Sequence, residues 1–146
     1  MKRCKIKYLL IFIFWIGYNL GSNAQVSAID SLKNLLAQDP HDTAKVYFLY
    51  KISDQYYDAT VHDTAMIYAR QAYRLALDLD YKKGQTRSLT RIGNVLEATG
   101  DFPAALKTYL DALKISESMG DLVGIGATDN NIARVYTEQK TANDFD

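Results

Sequence analysis

The amino-acid sequence predicts an all-α protein, a solenoid of stacked helix-turn-helix units, and three observations predict it. The first is internal repetition. Ile52-Ser53-Asp54-Gln55-Tyr56, Ile92-Gly93-Asn94-Val95-Leu96 and Ile132-Ala133-Arg134-Val135-Tyr136 align at successive offsets of 40 residues. Ala65, Ala72, Leu75 and Gly84 align with Ala105, Ala112, Ile115 and Gly124 at the same offset, and a fixed period of this size marks repeat architectures. The second is the spacing of apolar residues. Leu89, Ile92, Gly93 and Leu96 fall at i, i+3, i+4 and i+7, one face of a helix, and Ala105, Leu106, Tyr109, Ala112 and Leu113 form a second stripe. The third is punctuation: Gly100-Asp101 and Gly120-Asp121 bound the second stripe, and Pro103 suits the first turn of a helix, where its missing N–H costs nothing.

Taken in chain order, residues 1–24 read as a secretory signal peptide. Lys2, Arg3, Lys5 and Lys7 precede an apolar run from Tyr8 to Tyr18, and Ser22 and Ala24 stand at the −3 and −1 positions of a cut before Gln25. The run is shorter than the roughly 20 apolar residues of a spanning helix, which favours cleavage over an uncleaved anchor. The protein is therefore expected outside the cytoplasm, in the periplasm or beyond. Residues 25–41 are expected to form a capping helix and turn, with Ile29, Leu32, Leu35 and Leu36 on its apolar face and Asp39-Pro40 ending it. The repeats occupy 42–146: one unit over 42–84, a second over 85–124 and a partial third over 125–146. The third supplies a first helix, Gly126 to Gln139, with Ile132, Val135 and Tyr136 incompletely covered, and the sequence stops where a partner helix is expected to begin.

Leu89, Ile92-Gly93, Leu96, Gly100-Asp101-Phe102, Ala105, Tyr109 and Ala112 resemble the tetratricopeptide repeat (TPR) signature, with Leu89 and Leu96 replacing the usual Trp and Tyr and Glu117 in place of the late proline. The 40-residue period resembles the extended variety, in which the second helix is lengthened. The first unit is more degenerate, with Ser53 where glycine is expected and no Gly-Asp between its helices. The resemblance implies two complete hairpins, an N-terminal helix and a final unpaired helix. It also implies a concave groove, lined by the first helix of each pair, that takes a protein or an extended peptide. The groove candidates carried over by alignment are Tyr47, Tyr50, Asp54 and Tyr57, then Arg87, Thr90, Arg91, Asn94 and Glu97, then Asn130, Arg134 and Thr137. Arg87, Arg91 and Asn94 partly match the clamp with which some family members hold a peptide's terminal carboxylate, while Asp54 stands where that clamp would need Asn.

Composition narrows the function classes. The 17 basic and 17 acidic residues balance, but four of the basic ones lie in the signal segment, so the remaining chain carries 13 against 17, a net charge of −4. That balance argues against sequence-independent binding of nucleic acid, which needs a basic face. Cys4 would be lost with the signal, leaving no disulfide, thiolate metal site or cysteine nucleophile. His-Asp-Thr-Ala occurs at 41–44 and 62–65; Asp or Thr capping of a helix start, with the histidines in exposed turns, outweighs a metal site. Asp78/Asp80 and Asp54/Asp58 read as solvated faces, and Gly124-x-Gly126 follows no strand. No catalytic residue, cofactor or metal is therefore expected.

The expected function is that of a non-catalytic binding module. The resemblance extends to the extracytoplasmic sensor segments of bacterial membrane histidine kinases and regulators, in which further repeats and a membrane span follow. The alternative is a self-contained periplasmic scaffold for assembling other proteins. Contact with a membrane is expected only through an uncleaved N-terminal segment or a downstream span. Exported protein is expected to begin at Gln25, which intact-mass measurement checks; a mass retaining residues 1–24 would show an anchor instead.

Overall fold

Each of the four inter-helical turns from Thr60 onward is built on one left-handed residue: Thr60 (φ 59°), Asp80 (48°), Gly100 (82°) and Gly120 (66°), spaced 20 residues apart. The N–H of each donates to the carbonyl three residues back, on Tyr57, Leu77, Glu97 and Glu117. The next N–H reaches five back, to Tyr56, Ala76, Leu96 and Ser116. This is the Schellman arrangement, which satisfies the last carbonyls of a helix while reversing the chain. Glycine makes the left-handed geometry easy at 100 and 120; Thr60 and Asp80 adopt it without that help, which is why the first unit's turns are hard to see in its residues.

The computed structural model describes residues 27–38 and 43–143. The signal segment 1–24, the Asp39-Pro40 stop and His41-Asp42 lie outside the described residues. The helices are α1 (27–37), α2 (Thr43–Asp58), α3 (His62–Asp78), α4 (Lys82–Ala98), α5 (Phe102–Met119) and α6 (Leu122–Asn143). Consecutive helices from α2 to α6 pack on one another, and α2 also touches α4 and α4 touches α6. The helices α3 and α5 do not touch. The row α2, α4, α6 is thus the compressed side of a curved two-layer stack, and α3 and α5 form the splayed side, as a TPR-like solenoid requires.

Small residues set the spacing between the layers. The buried face of α3 is Ala65, Ala69, Ala72 and Ala76, and that of α5 is Ala105, Tyr109, Ala112 and Ser116. The one large member of the second set, Tyr109, is fully buried with its ring against Gly93, where a Cβ would come within 2.5 Å of a ring carbon. One period earlier the pair is inverted in size: Ser53 replaces the glycine and Ala69 the tyrosine. The Ser53 hydroxyl donates to the Ala65 carbonyl at 2.8 Å. The unexpected serine is thus volume-matched to its own hairpin, in line with the dense packing of protein interiors.

Several sequence expectations need correction. The helix α6 starts at Leu122, before Gly126, because the Asp121 carboxylate accepts from the Gly124 N–H (3.1 Å) and caps the earlier start. It then runs through Lys140-Thr141, where a turn was expected. Those residues replace the Gly100-Asp101 pair and supply no left-handed glycine. The second His-Asp-Thr-Ala does not cap: the N-cap of α3 is Val61, with no side-chain cap bond. His62 is the first helical residue and half-buried, its ring 5.7 Å from that of Tyr57. In α1, Ile29 is buried and Leu36 packs on the cluster of Val46, Leu49, Tyr50, Ala72 and Ala76, but Leu35 faces solvent. Val135 is buried and Ile132 packs beside it on Ala105 and Tyr109, whereas Tyr136 is 56% exposed. Among the described residues no helix is long and apolar enough to cross a membrane.

The same substitution at two helical glycines should move stability in opposite directions. Gly93→Ala drives a methyl into the Tyr109 ring and is expected to cost about 1–3 kcal/mol. At Gly126 a Cβ meets nothing within 4 Å. There Gly126→Ala should gain up to about 1 kcal/mol of helix propensity. Urea denaturation of the two variants checks the pair.

Candidate functional site

A cleft of about 460 Å³ opens between α2, α4 and α6 on the compressed side of the stack. From α2 come Tyr50, Lys51 and Asp54; from α4, Lys83, Thr86, Arg87, Thr90 and Arg91. The first turns of α6 close it with Asp121, Val123, Gly124, Ala127 and Thr128. The contributing positions on α4 fall at intervals of three and four, so they share one helical face.

Five residues carried over by alignment line this cleft: Tyr50, Asp54, Arg87, Thr90 and Arg91. Tyr50 is buried, packs edge-on to the exposed Tyr47 at 5.3 Å, and accepts a 3.4 Å hydrogen bond from Arg87, whose guanidinium lies 5.7 Å from the Tyr50 ring centre. Asp54 forms an ion pair with Arg91 and a 3.5 Å one with Lys51. It is not the solvated carboxylate expected from its sequence context. Burial pushes its carboxyl up from the ordinary value, against the opposing charges of Arg91 and Lys51. The Thr90 hydroxyl is turned back onto the Thr86 carbonyl (2.9 Å).

The other candidates lie elsewhere. Glu97 is 7% exposed and belongs to the packing between helices. It accepts from the Tyr109 hydroxyl (2.7 Å) and takes a two-pronged bond from Arg134, Nε at 2.5 Å and Nη2 at 2.6 Å. This clasp ties α4, α5 and α6 together. Asn94 is engaged by the same Tyr109 hydroxyl at 2.7 Å; with its amide turned, it also accepts from Arg91 at 3.1 Å. Tyr57 packs on His62, the Thr137 hydroxyl bonds its own helix at Ala133, and Asn130 is exposed on α6 outside the cleft lining. Alignment missed Lys51, Lys83 and Thr86, together with the α6 residues 121–128. Lys83 and Arg87 lie four apart, a signal for Lys83, but nothing local shows that α6 begins early enough to reach the cleft.

Glu97 and Asp54 respond differently to similar surroundings. Burial pushes Glu97 up as well, but the hydrogen bonds from Arg134 and Tyr109, with the guanidinium charge, outweigh it and hold the carboxyl below its usual value. Burial, together with the bond to Glu97, drives the Tyr109 hydroxyl well above its normal range, and the same carboxylate raises Arg134. Among the described residues no group of three His, Cys, Asp or Glu is placed to hold a metal ion.

Fold and site together define an all-helical TPR-like repeat protein with a concave, mixed-charge cleft. No protein-family profile matches the chain, and no curated protein does. Among solved structures it is similar to the apo form of RapI, a helical repeat protein, with a TM-score of 0.70 at 23% identity over 85% of this chain. The match covers 36% of RapI, so the chain spans about a third of that protein's length. The likeness is one of fold.

The clasp has a pH signature. Because Glu97 titrates lower when folded, its contribution is complete above the unfolded carboxyl value of about 4.3 and is lost as pH falls through the lower folded value. Glu97→Gln is expected to cost about 1.5–3 kcal/mol at neutral pH. The difference from the unsubstituted protein should shrink toward zero in acid, as read by denaturant titrations at both pH values.

Proposed function

We propose that this chain is a non-catalytic protein-binding module that holds an extended segment of a partner in the cleft between α2, α4 and α6. The observation that carries the reading is the cleft itself, walled by three helices tied together by packing, by the Asp54–Arg91 pair in its wall and by the Glu97–Arg134 pair outside it. Its two carboxylates are committed, Asp54 to Arg91 and Lys51 and Asp121 to the Gly124 N–H, so neither is placed as a free general base. Tyr50, Arg87, Thr90 and Val123 instead offer an aromatic ring, a cationic fork, a small polar side chain and an apolar one, the mixture that peptide grooves use.

A finer reading places the module outside the cytoplasm as the sensor portion of a signalling protein of the histidine-kinase kind. Its support is the signal-like segment 1–24 and the resemblance of the repeats. In such a sensor, ligand held across three helices would bias the curvature of the stack.

Peptides selected on this chain from a random library provide the test. Thr90→Trp, which fills the cleft, is expected to weaken them at least about tenfold, or 1.4 kcal/mol. Lys107→Trp, on the exposed side of α5, should leave binding unchanged. Selected peptides indifferent to Thr90→Trp would overturn the assignment of the cleft.

A further inference from the structure

The cleft carries unbalanced charge, and the imbalance has a definite place. Lys83, Arg87 and Arg91 follow one another at intervals of four along α4, and Lys51 faces them from α2. Arg91 is neutralised by Asp54, and Lys51 leans on the same carboxylate. Asp121 is held at the start of α6. Among the described residues no carboxylate pairs with Lys83 or Arg87, and both side chains are exposed. Between them in sequence lies Thr86, 6% exposed, whose buried hydroxyl has no hydrogen-bond partner.

An apolar feature adjoins this cationic pair. Leu122 and Val123, at the start of α6, are 80% and 83% exposed, and Val123 lines the cleft that Lys83 and Arg87 also line. Of the three residues that partly match a terminal-carboxylate clamp, Arg91 is engaged by Asp54 and Asn94 by Tyr109, which leaves Arg87 alone without a carboxylate among the described residues. The free positive charge therefore sits on Arg87 and, one turn toward the N-terminus of α4, on Lys83, with the rest of the clamp set cancelled.

We infer that the occupant of the cleft is an internal acidic segment of a partner protein, with carboxylate side chains on Lys83 and Arg87 and an apolar side chain against Val123 and Leu122. The inference rests on the peptide-binding reading proposed above. Residues four apart on a helix are separated by about 6 Å along its axis. Side chains two apart on an extended chain project to the same side about 6.6 Å apart. The two cations thus match an acidic-x-acidic spacing in an extended ligand. Arg87 contributes more than charge: its contact with the Tyr50 ring and hydroxyl restricts the guanidinium before a ligand arrives, and the planar fork suits a carboxylate.

The test uses the intact chain and short peptides with acetylated and amidated ends, read by fluorescence anisotropy. The panel carries Glu-x-Glu, Gln-x-Gln or Lys-x-Lys beside one leucine. The Glu peptide is expected to bind at least about tenfold more tightly than the Gln peptide, and to weaken as salt rises. The double variant Lys83→Glu/Arg87→Glu should reverse the preference toward the Lys peptide. Lys82→Glu, exposed and outside the cleft lining, should not. Thermal melts of both variants establish that they fold. Equal binding of the Glu and Gln peptides, no binding by any of the panel, or binding only when a free terminal carboxylate is restored would each overturn the inference. If library-selected peptides still lose affinity on Thr90→Trp in those cases, the cleft remains the binding site and only the acidic occupant falls; if they do not, the cleft reading falls too.

Discussion

Helices in this protein approach as closely as their smallest side chains allow, and the remaining architecture depends on that approach. Alanine along the buried face of α3, and alanine with serine around Tyr109 on α5, bring each second helix close against its neighbours. With α3 and α5 wedged between successive first helices, α2 still touches α4 and α4 touches α6, while α3 and α5 do not meet. The resulting curvature makes the cleft. A bulky residue at any of these alanines would have to open the angle between the layers, so the site's shape rests on residues that never meet a ligand.

Electrostatics sets the register between the first helices. Tyr50 meets Arg87, Asp54 meets Arg91 and Glu97 meets Arg134, each across 37 residues, one helical turn short of the period. Each arginine thus meets the residue one turn beyond its own equivalent position on the preceding helix of the same row. The three contacts differ in environment, and their energetics differ with it. Glu97 gains two nitrogen donors and a buried hydroxyl, enough to outweigh its desolvation. Asp54 is buried with less complete compensation, so its carboxyl moves the other way. Glu97 is thus the more fully compensated of the two buried carboxylates, and Asp54 the less.

The same division separates structural from recognition residues among polar side chains of similar type. Arg134 and Arg91 face carboxylates from a neighbouring helix and hold the stack together. Arg87, on the same helix as Arg91 and one turn away, rests on an aromatic ring and keeps its charge available. Chemical type does not distinguish these arginines; the residue each meets on the preceding helix of the same row does.

The helical class, the period and the hairpins were legible in the sequence because they follow from local rules: apolar spacing near 3.6, glycine at left-handed turns, alanine where helices cross. Tyr50, Asp54, Arg87, Thr90 and Arg91 could be placed on the groove through the alignment that the resemblance to TPR repeats implies. Other features depended on partners far apart in the chain. Glu97 occupies a groove-facing register, yet Tyr109 and Arg134 draw it into the packing. Thr60 and Asp80 turn the chain as Gly100 and Gly120 do, with the same pair of closing backbone hydrogen bonds. The helix α6 reaches the cleft only because Asp121 caps it early. By itself the sequence determined which segments coil and which faces bury, for these depend on a few neighbouring residues. The tertiary structure decided which charges are cancelled and which remain open, because a charge is neutralised by whatever lies within a few ångströms, and those neighbours are set by how the helices stack.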